Sequence, residues 1–161
     1  MAVVSIEDRN RHTANQLLNT AMNYARLILR KYGEIAPFGF SMSREGEIAR
    51  ETLDLPRLPG DPGRLWKLLA DHITEKVRRG NLKAVLMGAN VNLTEASAEG
   101  YMDAFLLEIE EESGYAIEVT IPYKIIGGQL HGLLPRRIAL GEMVAEESSC
   151  RFFGGGAGRK S

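Results

Sequence analysis

The chain has a single cysteine, Cys150, so an intrachain disulfide is excluded. Histidine is nearly as scarce: His12, His72 and His131 are the whole set, and none has a second histidine at His-x-x-x-His spacing. No charge sign dominates, since 20 basic residues stand against 21 acidic ones for a formal net charge of −1. That balance gives no general attraction to nucleic acid or to an anionic membrane. No apolar run approaches the roughly 20 residues that span a bilayer. Met1-Ala2-Val3-Val4-Ser5 has no cationic region followed by an apolar stretch and a small-residue cleavage site. These absences fit a reducing cytoplasm and no membrane partner.

What is present is the composition of a folded domain. Of 161 residues, 44% are hydrophobic and 25% charged, enough to bury a core and too apolar for wholesale disorder. From Ile6 to Tyr32, the residues Ala14, Leu17, Leu18, Ala21, Tyr24, Ala25, Ile28, Leu29 and Tyr32 recur at three- and four-residue steps. That is the period of an amphipathic helix. Ser5 is placed to cap it and Gly33 to end it. A hairpin follows: Phe38, Phe40 and Met42 alternate with small polar residues, Arg44-Glu45-Gly46 forms the loop, and Ile48 resumes the pattern.

After a proline-rich loop, Asp61-Pro62 opens a second helix. Leu65, Trp66, Leu68, Leu69, Ile73 and Val77 make its apolar face, and Gly80 ends it. A third strand runs from about Lys83 to Leu93. The clearest pattern lies between Tyr101 and Ile125, where Phe105, Leu107 and Ile109 alternate on one arm and Ile117, Val119 and Ile121 on the other. A three-residue loop, Glu112-Ser113-Gly114, pairs Ile109 with Ile117 and Leu107 with Val119. A two-residue turn would mix the two faces, so the burial pattern selects the longer loop.

Beyond Gly127-Gly128 the pattern weakens; Gln129 to Leu134 reads as a short strand and Ile138 to Glu147 as a short helix. Residues 1–153 are thus expected to form one α+β domain, with 154–161 as a Gly-rich flexible tail. The element order is helix, strand, strand, helix, then three strands. It suits a mainly antiparallel five-stranded sheet whose first and last strands meet in the middle. By element order alone this resembles the profilin-like, roadblock-like and PAS-like group, a likeness that carries no function.

The deduced register sets Glu108 opposite Glu118, with Glu110 two residues along on the same face. Like charges facing each other across strands are destabilising and ask for a reason. One reason is a site for a hard cation, Mg²⁺ or Ca²⁺, or an acid–base pair, with His131 as a further polar group. The other is a solvated face with Lys83 or Lys124 nearby to offset the repulsion. Phe152-Phe153 either packs on the sheet and pins the chain there, or offers an apolar anchor to a partner. His72, beside Asp71, is expected to be exposed.

Catalytic signatures are missing. Cys150 has no base beside it, and no Gly-x-Ser-x-Gly elbow occurs. The run Gly154 to Ser161 fails as a phosphate loop because Arg159 stands where that motif needs glycine and no helical segment follows. No cofactor is implied. Arg78-Arg79 and Arg136-Arg137 are the residues from which a single basic patch for nucleic acid would have to be built.

Ala104 through Tyr123, with Glu108, Glu110, Gly114-Tyr115 and Pro122-Tyr123, resembles a family of small uncharacterised bacterial α+β proteins. Pro37-Phe38-Gly39 and the Glu45-Gly46 turn are similar too. The resemblance covers about two-thirds of the chain and implies a bacterial cytoplasmic setting, with no particular activity. The leading expectation is a non-enzymatic binding module, regulatory or toxin-neutralising, working through a protein partner or a second copy of itself. The alternative is a small-molecule or metal-binding sensor or enzyme that uses Glu108, Glu110 and Glu118.

Overall fold

The computed structural model describes residues 6–129 and 133–153. The elements are α1 (Ile6–Tyr32), β1 (Phe38–Ser43), β2 (Ile48–Glu51), α2 (Pro62–Arg78), β3 (Leu82–Asn92), β4 (Asp103–Glu111), β5 (Ala116–Ile126), β6 (Arg137–Leu140) and β7 (Val144–Glu147). The expected cap at Ser5, His131 and the Gly-rich tail lie outside the described residues.

Both hairpins have the register deduced from alternation. Met42 faces Ile48, and Gly46 takes a positive φ of 94° in the three-residue loop. Ile109 faces Ile117, Leu107 faces Val119 and Glu108 faces Glu118, with Gly114 at φ 101°. Asp61 caps α2 by accepting the Arg64 N–H at 3.3 Å, ahead of Pro62.

The sheet has seven strands, not five. Its order is β2-β1-β3-β4-β5-β6, with β7 also paired to β5, and every pairing is antiparallel. β1 therefore sits beside β3, and the first strand does not meet the last of the expected five. β2 and β3 both run antiparallel to β1, so they are parallel to each other, and α2 is the crossover that carries the chain past β1. Two glycines fit this arrangement. A Cβ on Gly39 would lie 2.8 Å from Ile73 Cδ1 of α2, and one on Gly88 would lie 2.5 Å from Cζ of Phe38 across the β1–β3 pair. Both positions need the missing side chain for close approach.

The helices cover opposite faces. α1 packs Ala14, Leu17, Ala21, Met22, Ala25 and Leu29 against Phe38, Phe40, Met42, Leu86, Phe105, Leu107 and Ile109. α2 packs Leu69 and Ile73 against Leu82, Val85 and Met87. Val85 and Met87 alternate on β3 with Ala84 and Leu86 of the α1-side set, and Leu82 joins them beyond the register shift opposite Met42 and Ser43. This is why β3 is buried almost continuously at its start, as a strand covered on both faces must be. Tyr32, placed on the apolar face of α1 by its period, is exposed at the helix end instead.

The segment after Gly128 departs from expectation. Gln129, Leu133 and Leu134 lie in a turn, where Gly128 N–H donates to Leu134 O at 3.0 Å. Ile138 to Glu147 holds two short strands, not a helix. The cause is the outer edge of β5, whose peptide groups need partners. β6 takes residues 123–126 and β7 takes residues 117–120. Residues 141–143 oppose only 121 and 122, so the two strands form one interrupted outer strand with a bulge. Pro122, which has no N–H, lies at that bulge and accepts from Gly141 N–H at 2.7 Å. Arg136, just before β6, donates to the carbonyls of Arg30 and Lys31 and closes the end of α1.

From Ser148 the chain crosses the α2 side of the sheet as a strap, over β5 and β4 towards β3. There Phe152, 4% exposed, joins Leu69, Ile73, Leu82, Val85 and Met87. Among the described residues no helix is long and apolar enough to cross a membrane.

Candidate functional site

Glu108 and Glu118 do face each other, and β7 extends the row, because Glu146 pairs with Glu118 on its other side. Three carboxylates thus lie side by side across three strands on the α2 side of the sheet. The strap supplies the countercharge: Arg151 forms an ion pair with Glu108. Lys83 and Lys124, expected to offset the repulsion, form no ion pair with these glutamates among the described residues. Glu118 has no hydrogen-bonded or ionic partner among the described residues.

Glu110 behaves differently. It is 3% exposed, and its carboxylate accepts three successive backbone N–H groups, from Arg151 at 2.7 Å, Phe152 at 2.7 Å and Phe153 at 3.2 Å. Successive amides converging on one anion form a nest. Here the anion is the protein's own, and it fastens the strap. A cavity of about 560 Å³ lies against Glu108, Glu110, Glu118 and residues 148–151. Within it, one carboxylate is occupied by amides and one by a guanidinium. Among the described residues no group of three or more His, Cys, Asp or Glu is arranged to hold a metal ion. Cys150 lies in the strap, its thiol 3.9 Å from the carbonyl oxygen of Tyr115.

A second polar cluster escapes sequence reading because three elements build it. Glu51, the last residue of β2, is buried and accepts from Ser41 Oγ at 2.5 Å and from Lys76 Nζ at 2.9 and 3.0 Å. His72 Nε2 lies 3.1 Å from Glu51 Oε1, so this histidine is half-buried and partnered, not exposed. Burial pushes the Glu51 carboxyl up, but the hydrogen bonds from Ser41, Lys76 and His72 and the charge of Lys76 outweigh it, and the net shift is down. The one legible signal was His72 and Lys76 at helical spacing beside Ile73.

Glu111 is the opposite case. It ends β4 on the α1 side, is 6% exposed, and its Oε2 has no hydrogen-bond partner among the described residues. Burial pushes its carboxyl up to about 7, with the charge of Lys83 working against the shift.

The aromatic pair divides. Phe152 is packed into the core and Phe153 is partly buried against the same cluster, so little of Phe152 remains for a partner. The two arginine pairs stand on opposite sides of the sheet. Arg78 and Arg79 pair with Glu75 at the end of α2, while Arg136 holds the end of α1.

Exposed apolar surface collects elsewhere. Of eleven large apolar side chains exposed among the described residues, six lie between Ile126 and Val144: Ile126, Leu133, Leu134, Leu140, Met143 and Val144. All four residues of β7 are exposed, and β5 is the only strand it pairs with among the described residues. No protein-family model, curated protein or solved structure matches this chain.

Proposed function

We propose that the protein is a non-enzymatic binding module, regulatory or toxin-neutralising in type, that works through protein–protein contact at the outer edge formed by β6 and β7. The observation that carries this reading is the concentration of exposed apolar side chains at a sheet edge with free peptide groups. Such an edge accepts an added strand: main-chain hydrogen bonds supply affinity and alternate side chains supply choice. Sheet edges are normally blunted against promiscuous pairing. Here Glu146 and Glu147 do the blunting while Leu140, Met143 and Val144 stay exposed. The Glu108–Glu118–Glu146 row favours an incoming segment with a lysine or arginine opposite Glu146 and an apolar residue near Val144. The contact is with another polypeptide, a second copy of this chain included.

The alternative, a metal or small-molecule site built from Glu108, Glu110 and Glu118, has less support. Glu110 is saturated by backbone amides, and Glu108 is neutralised by Arg151.

Native mass spectrometry and affinity capture of the wild type and of a Leu140→Asp, Val144→Lys double variant test the proposal. The reading requires a dimer, or a captured protein, that the variant loses. A wild type that stays monomeric and captures only what the variant captures refutes it.

A further inference from the structure

The strap leaves a second cavity, of about 480 Å³, on the other side of Arg151. Its walls come from the last turns of α2, the β1–β2 turn, the β4–β5 turn and the strap. Val77, Leu82, Phe152 and Phe153 form an apolar floor, and Arg44, Arg78 and Arg151 stand around it. Glu112 is the one carboxylate in the lining. The size and make-up, an apolar body with a few convergent polar groups, are those of a small-molecule site.

The arginines are held in place by partners. Arg44 donates through Nε to Gly80 O and through its terminal nitrogen to Glu112, both at 2.7 Å. Arg78 is paired with Glu75, and Arg151 with Glu108 while it lies over the Phe152 ring. A guanidinium has five N–H donors, so each keeps some to offer. Each guanidinium has one carboxylate partner, but only Glu112 of the three lies in the lining. The donors left over therefore face the cavity as a set for an anion, and the planar fork suits a carboxylate or sulfonate.

We infer that this cavity binds a small amphipathic organic anion, its apolar body on Phe152, Phe153, Val77 and Leu82 and its charged end among Arg44, Arg78 and Arg151. Arg151 lines both cavities, so the ligand shares its guanidinium charge with Glu108. The site is therefore tuned by the acidic row, and weakening the Glu108 pair strengthens binding.

The test is fluorescence titration with anilinonaphthalenesulfonate, which has an aromatic body and one anionic group, beside its uncharged analogue phenylnaphthylamine. One bound sulfonate per chain is expected, with affinity about tenfold above the neutral probe. Arg44→Gln and Arg78→Gln, both on the exposed rim, are each expected to weaken the sulfonate about fivefold and leave the neutral probe unchanged, one lost charged hydrogen bond being enough for that. Glu108→Gln is expected to tighten it. Leu140→Asp, at the distant β6–β7 edge, should not change it, which separates this cavity from the apolar patch there. Equal affinity for the two probes, insensitivity to both arginine substitutions, or loss of binding with Leu140→Asp would overturn the inference.

Discussion

Replacing Glu111 with glutamine is expected to make the protein more stable at alkaline pH and to flatten its pH dependence. The carboxyl has an ordinary value of 4.5 in the unfolded chain and is pushed up to about 7 in the fold. Below the unfolded value both states are protonated and no slope arises. Between the two values the folded chain holds a proton that the unfolded chain has released, so stability falls as pH rises. Above the folded value both states are ionised and the slope ends. At roughly 1.4 kcal/mol per unit, the loss across that window amounts to about 3 kcal/mol. Glutamine has the same shape and no charge, so it avoids that loss. It still leaves a buried polar group short of a partner, a cost of about 1 kcal/mol at every pH. The net gain is therefore about 2 kcal/mol well above neutrality, with a small deficit in mild acid. Urea unfolding followed by Trp66 fluorescence, at about pH 5 and about pH 8, reads both ends of the window. Glu51 does not imitate the effect, because its carboxyl is shifted down and titrates below this range. A wild type and a variant whose midpoints differ equally at the two pH values would refute the reasoning.

Three more perturbations probe other parts of the fold. Glu110→Gln should cost about 1–2 kcal/mol, since an amide cannot accept all three strap N–H groups equally well, and hydrogen exchange should quicken at Arg151, Phe152 and Phe153. Glu51→Gln should remove part of the acid sensitivity. The wild-type contribution is present above the ordinary carboxylate value and lost as pH falls through the lowered folded value, and acid titration of both proteins by circular dichroism measures the difference. Gly88→Ala should cost about 1–3 kcal/mol, because its Cβ meets the Phe38 ring and Leu107, and thermal melting shows whether the core gives way.

Sequence made the two hairpins legible because alternation and a glycine after a polar loop leave one register that buries every apolar residue on one side. Met42 with Ile48 and Ile109 with Ile117 follow from that constraint. β6 and β7 lacked it. Each has four residues, and β7 is exposed throughout, so no burial pattern marks it. Ile138, Leu140, Met143 and Val144 mimic a short helix when read without the open edge of β5. Strand order was equally hidden, since the pairing of β1 with β3 turns on Gly88 accepting the Phe38 ring rather than on any local signal. The Glu108–Glu118 pair was legible from register. Its countercharge was not, because Arg151 arrives by a strap whose path depends on Glu110 gathering three amides.

The strap also sets an order on synthesis. Every buried member of the α1-side core lies between Ala14 and Tyr123, so that half of the molecule has all its parts early. The α2-side core waits for Phe152. Chains fold from the N-terminal side as they emerge, so Leu82, Val85 and Met87 stay under an incomplete roof until the strap arrives. A chain stopped after Glu147 is expected to unfold at lower urea concentration and to bind no sulfonate, since Phe152 and Phe153 complete both the core and the cavity floor. Ligand binding, on this view, reports that the strap has docked.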